Sequence, residues 1–76
     1  MYELEIKTKD KSKRFKNPRT ARLSNRILGY SLQIMTDDGK WHTVCYCSVG
    51  AETGRFIVET INEAIENRKP LVYLDI

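Results

Sequence analysis

The sequence contains few of the residues from which catalytic and metal sites are built. It has one histidine, His42, and two cysteines, Cys45 and Cys47. A structural zinc site normally takes four Cys or His ligands, so a second chain would have to supply the rest. On a strand, His42 would point away from the face that the two cysteines share, which separates a base from a nucleophile. We therefore predict no enzyme, no metal site and no cofactor.

Long apolar runs are also absent. Met1 leads directly into YELEI, without the apolar stretch of a secretion signal, and no segment approaches the roughly 20 apolar residues of a membrane-spanning helix. We therefore expect a cytoplasmic protein that does not bind membranes and keeps its cysteines reduced. The length of 76 residues suits one domain with one thin core, which we predict to cover residues 1–76.

Positive charge is concentrated in residues 7–26, KTKDKSKRFKNPRTARLSNR. Nine of these twenty residues are Lys or Arg and only Asp10 is acidic, so the stretch carries +8. The rest of the chain must then sum to −5, because the whole chain carries +3. Phe15 is the one large apolar residue between Lys7 and Arg22, which is too little for this segment to build a core of its own. We predict that residues 8–26 form a long basic loop that is free to be flexible.

The first strand and a central hairpin have clear patterns. Residues 2–7 alternate apolar and charged side chains, which predicts a strand with one face on the core. Residues 28–36 and 41–49 are rich in β-forming residues and flank Asp38-Gly39, a strong signal for a two-residue hairpin turn. The resulting register pairs Thr36 with Trp41, Ile34 with Thr43, Leu32 with Cys45, Tyr30 with Cys47 and Leu28 with Val49. We assign these residues, Trp41 included, to the core face.

The remaining elements are one helix and one strand. Apolar residues recur at helical spacing after Gly50, and Pro70 ends the helix that they predict. Residues 71–74 are continuously apolar, as in a buried strand, which would run parallel to the preceding strand through a right-handed crossover. The fold class is therefore α+β: a small β-β-β-α-β domain with one mixed or antiparallel sheet and one helix packed on a face.

The basic stretch suggests a polyanionic partner. Clustered Lys and Arg attract phosphates, and arginine can hold a phosphate through two parallel hydrogen bonds. Phe15 in this stretch and Tyr46 on the less apolar hairpin face are candidates for stacking on unpaired bases. We predict a non-enzymatic accessory or regulatory protein that binds nucleic acid, DNA or RNA, with low sequence specificity. The candidate contacts are Lys9, Lys11, Lys13, Arg14, Phe15, Lys16, Arg19, Arg22, Arg26 and Tyr46.

Other interpretations of the charge stay open. The basic segment or a sheet edge would dock equally well on an acidic protein surface, which would make the chain an interaction module or inhibitor. Its apolar C-terminal strand would also allow a homodimer through an edge. The lysines would alternatively serve solubility, or pair with the acidic face of the predicted helix. Finally, a loop folded over the hairpin would remove Tyr46 from the surface.

Overall fold

A computed structural model describes residues 1–76. Its elements are β1 (Glu3–Lys7), β2 (Ser12–Lys16), β3 (Pro18–Arg26), β4 (Gly29–Thr36), β5 (Trp41–Cys47), α1 (Ala51–Glu66) and β6 (Leu71–Tyr73). The strands form two three-stranded sheets, in the orders β2-β1-β6 and β3-β4-β5. The α+β class is confirmed, whereas the prediction of a single sheet is wrong. The one helix, α1, lacks both the length and the apolar character needed to cross a membrane.

One hydrophobic core joins both sheets to the helix. Its five largest fully buried side chains are Leu4, Ile6, Leu32, Ile34 and Ile61. They come from β1, β4 and α1, the elements whose apolar periodicity is clearest in the sequence. Burial of each such side chain contributes about 1.5–3 kcal/mol. The helix contacts β3 and β6, one edge strand of each sheet, and so spans the two sheets on the core side.

The prediction that residues 8–26 form a long basic loop is wrong, because this segment contains β2 and β3. Phe15 lies opposite Leu4 in the antiparallel β1–β2 register and is buried. Along β3, Ala21 and Leu23 face Ile34 and Leu32 of β4. Only every second position needs to be apolar in such strands, so the basic side chains between them can point outward.

Asn17 makes the abrupt junction between the two sheets possible. It has a left-handed backbone, with φ of 49°, a region that asparagine tolerates better than most residues. Its backbone N–H donates to the carbonyl oxygen of Tyr2, and its side-chain Oδ1 accepts from the N–H of Tyr2. Pro18 then begins β3, where a missing N–H is tolerated.

Two of the five predicted hairpin pairs are shifted by a β-bulge, and a third, Leu28 with Val49, is absent because Leu28 lies in the β3–β4 turn and is exposed. Tyr30 pairs with Cys47 and Leu32 with Cys45, as predicted, but the register shifts after Leu32 so that Met35 pairs with Trp41. The extra residue lies within 43–45, where Val44 turns into the core and is buried. Trp41 consequently leaves the predicted core face and lies on the same side as Met35.

The last strand also pairs differently from the prediction. β6 is parallel to β1, with Ile6 opposite Val72, and has no pairing with β5. Val72 is buried while Leu71 and Tyr73 are exposed, so β6 is a half-buried edge strand and not one buried on both faces. β6 pairs with the edge of β1 that is not paired with β2. This edge lies beside the helix, so Val72 of β6 reaches the core there.

Gly29, at the start of β4, is a position where we expect a substitution to be costly. Its φ is 116°, and a Cβ there would lie 2.5 Å from the carbonyl oxygen of Cys47. Gly29→Ala should therefore lower the free energy of unfolding by about 2–4 kcal/mol, through backbone strain and a backbone clash together. Urea unfolding followed by circular dichroism would measure the loss.

Gly39→Ala is the matched control for that measurement. Gly39 has φ of 77° with nothing within 4 Å of an added Cβ, so strain alone operates there. We expect a loss of about 1–2 kcal/mol at this position. Equal losses at Gly29 and Gly39 would show that the Cys47 carbonyl does not constrain the hairpin.

Candidate functional site

The side of β3-β4-β5 that faces away from the helix is the candidate site. Strand alternation places on this side the residues that do not point into the core. We call it the outer face; its principal residues are Arg22, Arg26, Gln33, Met35, Trp41 and Tyr46. None of these six belongs to the buried core cluster.

Two arginines of β3 stack on two aromatic rings of β5 across the outer face. The guanidinium carbon of Arg22 lies 3.9 Å from the ring centroid of Trp41, and that of Arg26 lies 4.3 Å from the ring centroid of Tyr46. Gln33 of the intervening strand holds the first pair, because its Oε1 accepts a hydrogen bond of 2.9 Å from Arg22 Nε. Each guanidinium is thus held over an aromatic ring of the same sheet face.

Charge is strongly segregated between this sheet and the helix. The three strands of the sheet contain Arg19, Arg22 and Arg26 and not one Asp or Glu. The helix carries four exposed glutamates against a single arginine, Arg55. Because α1 packs on the core side of β3, its negative charge lies across the sheet from the outer face. The outer face therefore has a positive potential that no carboxylate in its own strands cancels.

The structure exposes all eight basic residues of the predicted site but divides them between the two sheets. The group on β2 and its preceding turn is Lys9, Lys11, Lys13, Arg14 and Lys16, and the group on β3 is Arg19, Arg22 and Arg26. In the first group, Arg14 lies within 3.8 Å of carboxylates of Glu3 and Glu5, and Lys9 lies 3.3 Å from Asp75. No arginine of β3 forms an ion pair. The β3 group is thus the less neutralised of the two.

The two aromatic candidates differ in exposure. Phe15 is 6% exposed and lies in the core, so the premise that it is an exposed aromatic is wrong. It packs inward because it is the one residue through which β2 joins the core. Tyr46 is 65% exposed, and no loop covers it. Trp41 is a second aromatic residue of the outer face, although the sequence pattern predicts it in the core. The β5 bulge puts it on this face, and the bulge leaves no recognisable trace in the sequence.

A Thr-His-Asp cluster at the β4–β5 turn stabilises the turn and lacks the geometry of a catalytic triad. His42 Nε2 lies 3.1 Å from both Thr36 Oγ1 and Asp38 Oδ2. In a triad the two ring nitrogens are divided between nucleophile and carboxylate, whereas here one nitrogen meets both. The Thr36 hydroxyl and the Lys40 backbone N–H donate to Asp38 Oδ1 at 2.6 and 2.9 Å. In that order these two hydrogen bonds lower the pKa of Asp38 from 3.8 to about 2, with a smaller effect from His42.

The two cysteines line a separate cavity of about 520 Å³ between β5 and the β1–β2 turn. Both are free thiols. Burial raises the pKa of Cys45 and of Cys47, although Lys11 and Lys13 oppose the change at Cys45. A thiol that stays protonated at neutral pH is a weak nucleophile and a weak metal ligand. Burial of the two thiols thus disfavours the thiolate form in this cavity.

No group of three or more His, Cys, Asp and Glu side chains is arranged to hold a metal ion. Comparison with known proteins adds no family to these observations, since no family model, no curated protein and no solved structure matches the chain.

The depressed pKa of Asp38 predicts a loss of stability in acid. A carboxylate whose folded-state pKa is below its unfolded value stabilises the fold above the unfolded pKa, and this contribution is lost as the pH falls through the folded-state pKa. For Asp38 the window runs from about 4 down to about 2. Asp38→Asn should therefore flatten the fall of unfolding free energy with pH in this window, as measured by urea unfolding at successive pH values.

Asp10→Asn is the control for this titration. Asp10 forms none of the ion pairs or side-chain hydrogen bonds in the structure, so the slope with this variant should match that of the unaltered protein. A slope that Asp38→Asn leaves unchanged would mean that the turn does not favour the ionised carboxylate.

Proposed function

We propose that this protein binds single-stranded nucleic acid through the outer face, with little sequence specificity and without catalysis. The observation that carries the proposal is the pair of arginine–aromatic stacks on a sheet that contains no acidic residue. Sheets with exposed aromatic and basic residues suit splayed, unpaired bases. The arginine–aromatic stacks offer planar surfaces to base faces, and every base has such a face, so this mode of binding tolerates many sequences.

The stacked arginines have two ways to contact a strand. A base can stack on the open side of a guanidinium plane and extend the pile from base through arginine to aromatic ring. Alternatively, the N–H groups at the edge of the same guanidinium can donate to a phosphate oxygen. The stack on Trp41 and the hydrogen bond to Gln33 already restrict Arg22, so less side-chain entropy is lost on binding.

A single strand fits this face better than a duplex does. Planar groups on a sheet face can stack on base faces only where the bases are unstacked. The element that commonly enters a duplex groove is a helix, but the exposed side of α1 carries four glutamates that phosphates would repel. Arg22 and Arg26 lie four residues apart on β3, so the two stacks are about 13 Å apart and one strand can pass over both.

Replacing both stacked arginines should weaken binding and reduce its dependence on salt. We expect Arg22→Ala/Arg26→Ala to lower the affinity for a fluorescein-labelled oligothymidine about 30-fold or more, since each of two stacked bases contributes at least about 1 kcal/mol. The slope of log affinity against log salt should fall by about 0.7 for each phosphate that the variant no longer neutralises, or about 1.4 for the pair. Fluorescence anisotropy across a salt series measures both quantities, with a thermal melt of each variant to show that it is folded.

Arg14→Ala/Lys16→Ala is the matched control, because it removes the same charge from exposed positions of β2 in the other sheet. We expect it to lower affinity less than about threefold, the effect of a diffuse field alone. Equal losses in the two double variants would contradict a site on the outer face and favour a non-specific basic surface. If the unaltered protein binds no DNA or RNA even at low salt, the proposal fails, and an acidic protein surface becomes the partner to seek.

A further inference from the structure

The turn between β3 and β4 exposes two large apolar side chains. Ile27 and Leu28 form the two-residue turn between paired Arg26 and Gly29, and they are 100% and 89% exposed. Turn positions are usually polar, because apolar side chains gain nothing there. The fold does not use these two residues, since neither touches the core cluster.

These side chains line an open groove that reaches one of the arginine–aromatic stacks. The groove has a volume of about 570 Å³ and is lined by Arg26, Ile27, Leu28 and Tyr46 alone. It is thus apolar except for one guanidinium, which lies 4.3 Å from the Tyr46 ring centroid. We call it the tip groove. It is a shallow groove that is widely open to solvent.

We infer that the tip groove holds one unpaired nucleobase of a bound single strand. A base is a flat, largely apolar ring that carries a phosphate on its sugar, and the groove supplies a matching set of contacts. Ile27 and Leu28 give an apolar wall against one base face, and the Arg26–Tyr46 stack gives a planar wall for stacking. The N–H groups of Arg26 lie where they can donate to the phosphate or to a base edge. This inference rests on the proposed function, which it deepens by naming a base-binding site.

Charge favours a nucleic acid over a lipid surface as the occupant. Arg22 and Arg26 lie along β3 on the outer face behind the tip, so a strand that enters the groove continues over Arg22. A bilayer would instead meet the tip with only two aliphatic side chains. Their hydrocarbon is smaller than a myristoyl chain, which by itself binds membranes only marginally. The tip groove therefore adjoins a basic sheet face that suits a polyanionic strand. Its apolar surface is too small to anchor the protein in a membrane.

The test uses Ile27→Ser/Leu28→Ser and two labelled strands of equal length. One strand is oligothymidine, and the other has the same phosphates and sugars without bases. We expect the double variant to bind oligothymidine about 10-fold more weakly, the effect of one stacked base, and to bind the abasic strand as the unaltered protein does. Both positions are fully exposed in a turn, so the melting temperature should be unchanged. Phe56→Ser, which removes an exposed aromatic side chain from the acidic helix, is the control and should leave both affinities unchanged.

Each other outcome overturns the inference in a distinguishable way. If the unaltered protein binds both strands and the tip variant binds oligothymidine equally well, the tip groove holds no base while the outer face still binds nucleic acid. If the variant loses affinity for both strands equally, the tip acts through the backbone and not through a base. Binding to anionic phospholipid vesicles that the tip variant abolishes, with strand binding unaltered, would assign the tip to a membrane. Failure of the unaltered protein to bind either strand overturns the proposed function itself.

Discussion

Burial of a few aliphatic side chains between two sheets and a helix is the constraint on which the rest of this structure depends. The core is thin, as expected for a 76-residue chain, and its fully buried members come from β1, β4 and α1. Every other strand must offer at least one apolar residue to this core at alternate positions. Phe15 does so for β2 and Ala21 for β3. The basic residues between these anchors then have one direction left, which is outward.

The same alternation that builds the core therefore builds the candidate site. On β3, Arg22 lies between two inward residues, and its outward side chain meets the aromatic residues that β5 presents on that side. Gln33 and Trp41 restrain Arg22, and Tyr46 restrains Arg26, so the face is organised before any ligand arrives. With the glutamates confined to the helix across the sheet, the outer face combines planar surfaces and positive charge without local neutralisation.

Elements whose sequence pattern is local are predicted correctly, whereas strands that depend on distant pairing are not. The first strand, the hairpin turn at Asp38-Gly39 and the helix each have a periodicity or a turn signal within a few residues, and all three are present. The segments that became β2 and β3 have too few apolar residues to show a strand pattern alone. Their stability comes from ladders to β1 and β4, and nothing within the segments themselves records those partners.

The sequence by itself determined the net charge, the +8 segment, the positions of the helix and the central hairpin, and the sheet face on which Tyr46 lies. These properties follow from composition or from spacing within one element. Only the tertiary structure decided that the basic segment is divided between two sheets, that Phe15 is buried and that Trp41 lies on the outer face. A single extra residue at the β5 bulge reverses the side on which Trp41 points. Such outcomes depend on contacts between residues far apart in the chain, and the arginine–aromatic stacks of the candidate site exist only once those contacts have formed.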